Sequence, residues 1–294
     1  MATEVFGTRA DVAVPCGCVL GEGAIWDHRI GTLYWVDING EALWSWRPDA
    51  GEEARSRSVG ERIGFVLLCE DPGILIAGMK NGLARLSLSD GAVEILARPE
   101  PDLPGNRLND GAVGPDGTVY FGTLNEADRQ PTGHFYRWSG GRLERFGTGT
   151  ITTNGPAVDA ERGWLYATDT SRGRVLRHRL GPDGMVGPPE DFVTFGEGEG
   201  HPDGMAIDAE SHVWICHFRG GRITRFDPDG SPVLVVPMPT PQVTKLAFGG
   251  PTLSTIYVTT AARDLDREID PMAGHLFRIE AGIAGRASAL APRV

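Results

Sequence analysis

Cysteine is scarce in this 294-residue chain, which has only Cys16, Cys18, Cys69 and Cys216. Their scatter excludes a disulfide framework, and a single C-x-C without a second ligand pair is no zinc signature, so the thiols read as inert. Long apolar runs are missing too: nothing approaches the roughly 18 residues needed to span a bilayer. The start, MATEVFGTRADVAV, lacks the basic head and apolar core of a secretory signal, which makes the cytoplasm the expected compartment. Positive charge is in deficit, with 28 Lys and Arg against 39 Asp and Glu and a net charge of −11. That balance argues against nucleic acid or an anionic membrane as the main partner and favours cations. No amphipathic run of ten or more residues separates the apolar segments, which removes a Rossmann-type alternation. Nor is there a G-x-S-x-G elbow, and His28, His134, His178, His201, His212, His217 and His275 show no triad signature.

What the chain has in abundance is glycine (41) and proline (21), the punctuation of many short strands. Six similar runs recur: TLYWVDI at 32, GILIAGM at 73, TVYFGTL at 118, WLYATDT at 164, HVWICHF at 212 and TIYVTTA at 255. With Tyr34, Leu75, Tyr120, Tyr166, Trp214 and Tyr257 as markers, the successive intervals are 41, 45, 46, 48 and 43 residues. This is the period of four-stranded propeller blades. A second strand follows each run after a glycine or polar turn, as in MKNGLARL and HFRGGRITRF, the spacing of a hairpin. The expectation is an all-β chain forming one six-bladed β-propeller domain over residues 1–294. TRADVAVPCGCV should supply the outer strand of the last blade after HLFRIEA, closing an exposed edge.

Eleven or twelve residues before each marker, where the innermost strand should lie, stand Glu22, Gly64, Asn109, Asn154, Asp203 and Lys245. Five of these six are polar, and the local sequences GEGAIWD, LNDGAVGPDG, TNGPAVDA, PDGMAIDA and TKLAFGG rhyme. Asp-Gly pairs are usually turns, which is how Asp116-Gly117, Asp183-Gly184 and Asp229-Gly230 read, but Asp203-Gly204 differs by register. Innermost strands line the propeller channel, so these side chains should meet near its axis. Polar groups that cap strand ends or bind channel water would produce the same pattern. Two carboxylates and two amides form an all-oxygen set suited to a hard dication such as Ca²⁺, Mg²⁺ or Mn²⁺, whose charge would relieve the repulsion between the acids. Register alone does not separate Glu22, Asn154 and Asp203 from Asn109 and Lys245.

GEGAIW (21–26), LYWVDI (33–38), NRLNDGAVGPDG (106–117), TNGPAVD (153–159), HPDGMAID (201–208) and VTKLAFGG (243–250), in this order, resemble the SMP-30/gluconolactonase/regucalcin family over nearly the whole chain. The resemblance implies a six-bladed propeller with one essential divalent metal that hydrolyses lactones of aldonic acids. It implies Glu22, Asn154 and Asp203 as metal ligands, and Arg107 and Asn109 as the pair that contacts substrate. Leu108 stands where the family often has Pro or Phe, a change of packing rather than chemistry. Glu126, one position out of alignment with a family acid, is left outside the site.

On this reading the metal, whether Ca, Mg, Mn, Zn or Fe(II), would polarise the carbonyl of a small-molecule sugar lactone and acidify a water, with Asp203 as base. Arg107 would orient the ring, and Asn109 would offer it both a donor and an acceptor. The rival class is a non-catalytic calcium-binding or interaction propeller, which would need no substrate clamp. His201 reads as a surface-loop residue, and GEGEG at 196–200 as a flexible loop able to gate access.

Overall fold

The computed structural model describes residues 3–7, 9–127 and 129–293. Its ordered elements are strands apart from two single 3₁₀ turns, Pro48–Ala50 and Thr170–Arg172. Six sheets, each built on four antiparallel strands, make an all-β fold of the six-bladed β-propeller class. Among the described residues, no helix is long and apolar enough to cross a membrane.

The sheets belong to two compact units. The first comprises residues up to Gly60 together with Phe195–Ala287, and the second Glu61–Thr194 with the residues from Ser288 on. The first unit holds blades 1, 5 and 6, whose innermost strands are Gly21–Asp27, His201–Ile207 and Val243–Gly249. The second holds blades 2, 3 and 4, with innermost strands Ile63–Leu68, Asn106–Val113 and Thr153–Asp159. Within the first unit the innermost strand of blade 6 packs against those of blades 5 and 1, and within the second that of blade 3 packs against those of blades 2 and 4.

Asp11–Val14 pairs antiparallel with Leu276–Glu280 as the outer strand of blade 6, so the chain start completes the last blade as its sequence leads one to expect. The short strand Glu4–Val5 goes further and adds in parallel to Pro232–Pro237 at the edge of blade 5.

All six marker residues are buried, so the repeat is a packing signal. A second repeated acid has a structural task. Asp27, Asp159 and Asp208 close the hairpin after the innermost strand by accepting backbone N–H groups two residues on, from Arg29, Glu161 and Glu210. Asp208 also accepts from Trp214 Nε1 (2.9 Å) and Arg225 Nε (2.7 Å), which satisfies a carboxylate with no exposure to solvent. All four cysteines are free thiols.

Candidate active site

The Asp-Gly pairs separate by geometry. Gly117, Gly184 and Gly230 have φ of +82°, +70° and +88°, the left-handed conformation of tight turns. Gly204 lies inside the strand His201–Ile207, and a Cβ there would stand 2.3 Å from Lys245 Cδ and 2.7 Å from the Thr244 carbonyl oxygen. Glycine follows Asp203 because the next blade passes hard against it.

Every innermost strand also breaks register close to the singled-out position. The ladders shift between Glu22 and Ile25, Ile63 and Phe65, Leu108 and Gly111, Asn154 and Ala157, Pro202 and Met205, and Val243 and Lys245. A bulge re-aims side chains out of the alternation of a regular strand. Polar groups at these positions can therefore turn away from the apolar layers that bury the rest of the strand.

In the second unit, Arg107, Asn109 and Asn154 form one buried hydrogen-bonded row. Asn109 Nδ2 donates to Asn154 Oδ1 at 2.8 Å and to the Thr153 carbonyl at 2.6 Å, while its Oδ1 accepts from Arg107 Nη1 at 2.7 Å. Both amide hydrogens of Asn109 are thus committed, leaving one lone pair on Oδ1. Where the sequence suggests a donor and acceptor for substrate, both N–H groups of Asn109 donate to the protein, and the side chain bridges Arg107 and Asn154. Asn154 Nδ2 donates to Thr170 Oγ1 at 2.9 Å, which fixes the amide with its oxygen on the Asn109 side. Gly64, the apolar member of the register, lets blade 2 lie against this row: a Cβ there would stand 2.5 Å from the Leu108 carbonyl oxygen and 2.7 Å from that of Asn109.

In the first unit, Glu22 and Asp203 occupy equivalent positions on the strands either side of the one bearing Lys245, and all three side chains are buried. Glu22 Oε2 accepts from the N–H of Gly23 at 2.9 Å. In each unit the singled-out donors are oxygens, carboxylates in the first and amides in the second, without thiolate or imidazole, the donor type that suits a hard divalent cation. Among the described residues, no cluster of three or more His, Cys, Asp or Glu side chains offers a rival metal site.

Three residues that the register could not find join the row, because they lie off the innermost strands. Glu126, in the turn after blade 3's second strand, bonds through its carboxylate to Arg62 and Lys80 and stands 3.7 Å from Arg107 Nε. Burial pushes the Glu126 carboxyl upward, but hydrogen bonds and charge from Lys80 and Arg62 outweigh it and hold the group below the ordinary carboxylate range. The acid is ionised at neutral pH.

The loop at 196–200 is pinned rather than loose. Glu199 takes a hydrogen bond from Arg222 Nη2 at 2.8 Å and from the Gly196 N–H at 2.7 Å, and its carbonyl bonds His217 Nδ1 at 2.8 Å. His217 is buried and stacks on Phe195, with ring centroids 4.3 Å apart, and burial pushes its pKa down to about 4. His201 is exposed.

Residues 20–262 match the family described as SMP-30/Gluconolactonase/LRE-like region. The chain is 34% identical over 290 residues to the pentonolactonase of Haloferax volcanii, covering 93% of this chain and 94% of that one. It is 33% identical over 277 residues to the L-arabinolactonase of Azospirillum brasilense, covering 92% and 91%. The crystal structure of a calcium-binding protein, regucalcin, from Agrobacterium tumefaciens superimposes with a TM-score of 0.94 at 27% identity over 100% of both chains.

Proposed function

The chain belongs to the SMP-30/gluconolactonase/LRE-like family, and from that premise we propose that it is a sugar lactonase, opening the lactone ring of an aldonic acid with a divalent cation held by Glu22, Asn154 and Asp203. The observation that carries the proposal is the buried row Arg107–Asn109–Asn154, which joins a guanidinium suited to a carbonyl or hydroxyl oxygen to an amide oxygen suited to a cation. Relatives named as lactonases that align over nine-tenths of the chain support the same chemistry. We further propose that residues 1–294 act as one domain.

When bound, the cation supplies Lewis-acid polarisation of the lactone carbonyl and acidifies a water. The chain's own residues do the rest. Asp203, buried on blade 5's innermost strand, takes the proton from the attacking water, and Arg107 orients the ring through its fixed donors. Asn109 keeps Arg107 and Asn154 in place through its three hydrogen bonds.

A calcium-binding propeller without catalysis is the second reading, favoured by the name of the Agrobacterium structure. An indicator assay of acid release from a panel of aldonolactones, with chelator and with each dication restored, decides between the two. Release that chelator stops and a metal restores is the expected result. Release unaffected by chelator overturns the metal's role, and no release from any lactone leaves the cation binder.

A further inference from the structure

Three cationic side chains converge on one carboxylate in the second unit: Arg62, Lys80 and Arg107 surround Glu126. A structural ion pair needs one cation for one anion, so Arg62 and Lys80 alone bring one positive charge more than Glu126 balances, within a protein of net charge −11. Excess like charge held together costs free energy, and an added anion offsets that cost.

The placement is rigid. Arg62 directly precedes blade 2's innermost strand, Lys80 directly follows its second strand, and Lys80 N–H donates to the Arg62 carbonyl at 2.8 Å, so the two side chains leave the same end of one hairpin. They remain reachable from solvent: the Arg62 and Lys80 side chains are 40% and 31% exposed, against 19% for Glu126 and 7% for Arg107. Among the described residues, Glu126 is the one hydrogen-bonding partner of either cationic head group, which leaves most donors of both free.

We propose that Arg62 and Lys80 form an anion subsite beside Arg107, and that the preferred lactone carries an ionised group, a carboxylate, sulfonate or phosphate, at the end of the sugar remote from the ring ester. This rests on the lactonase reading. Arg107 engages the lactone, and the neighbouring cations engage the charged tail. A neutral lactone would present a hydroxyl there, and a hydroxyl does not offset the charge.

The test has two arms. The chain has two lysines, Lys80 and Lys245, so an amine-reactive acylating reagent read by mass spectrometry reports directly on the subsite. Glucarate and 6-phosphogluconate should slow acylation of Lys80 where gluconate does not, and the stronger protector distinguishes a carboxylate from a phosphate tail. Equal protection by all three, or none, overturns the subsite whether or not any lactone is opened. In the second arm, kcat/KM for galactaro-1,4-lactone should exceed that for galactono-1,4-lactone by about tenfold, the size of one partly exposed charge-assisted contact. Raised salt and Lys80→Met should each shrink that ratio. Hydrolysis of both lactones with no anionic preference overturns the subsite and leaves the lactonase reading standing. Failure to open any lactone overturns the lactonase reading, and the Lys80 footprint then judges the subsite alone.

Discussion

Replacing Asn109 tests the clamp that joins the proposed cation ligand to the proposed substrate arginine. Three buried hydrogen bonds end on this one side chain, at 2.6, 2.7 and 2.8 Å. Asn109→Ala leaves the Thr153 carbonyl and Asn154 Oδ1 without their donor, while Arg107 Nη1 keeps its bond to the Leu108 carbonyl at 3.0 Å. Each unmet buried partner costs about 1–3 kcal/mol, less where water enters the vacated space, so a stability loss of about 2–3 kcal/mol is expected in urea unfolding. The larger effect concerns orientation. Asn154 would then be held by Thr170 alone, and loss of a partner that aims a metal ligand lowers cation affinity by about 10–100-fold. Asn109→Asp sharpens the test, because it keeps the shape and the Arg107 contact but sets a carboxylate oxygen against the Thr153 carbonyl and Asn154 Oδ1. Calorimetric titration with Ca²⁺ and Mn²⁺ should show both variants binding far more weakly than the parent. Affinities within about a factor of two of the parent would refute this reasoning, since they would mean that Asn154 needs no aiming.

The other expectations can be checked with the same material. Glu22→Gln and Asp203→Asn should each lower acid release by at least about a hundredfold, the size of a lost base or ligand, with the thermal midpoint kept; retained turnover would remove either residue from the site. Gly64→Ala puts a methyl group 2.5 Å from a backbone oxygen that cannot move alone. It should cost about 1–3 kcal/mol, as overpacking does, and an unchanged urea midpoint would show that blade 2 gives way freely. His217 makes stability pH-dependent: its folded pKa of about 4 lies below the ordinary 6.5, so the folded state binds fewer protons. The contribution is fully present above pH 6.5 and is lost as pH falls toward 4, on the order of 3 kcal/mol over that window. Unfolding curves between pH 7 and 4 should show this slope flattened in His217→Gln, and identical slopes in parent and variant would count against it.

Much of the fold was legible because the repeat is a matter of packing. Buried residues such as Tyr120, Tyr166 and Trp214 recur at blade spacing since each must fill the same layer, and a single sequence records that spacing. Counting back from them reached Glu22, Asn109, Asn154, Asp203 and Lys245, because a polar position survives in five of the six innermost strands, blade 2 having Gly64 instead. Hydrogen-bond direction left no such trace. Asn109 reads as a substrate contact in sequence, yet both its N–H groups are spent on the protein, and only the fold shows where they go.

The sequence by itself determined the all-β class, the six-fold repeat, the closure of the last blade by the chain start and the register of the polar residues. These follow from local alternation and spacing, which act along the chain. Only the tertiary structure decided that the second repeated acid, as in Asp208, is a satisfied structural anchor, that bulges re-aim the innermost strands, and that Arg62, Lys80 and Glu126 belong beside Arg107. The physical reason is that Arg62 and Glu126 are 64 residues apart, and their attraction exists only once separate blades have packed.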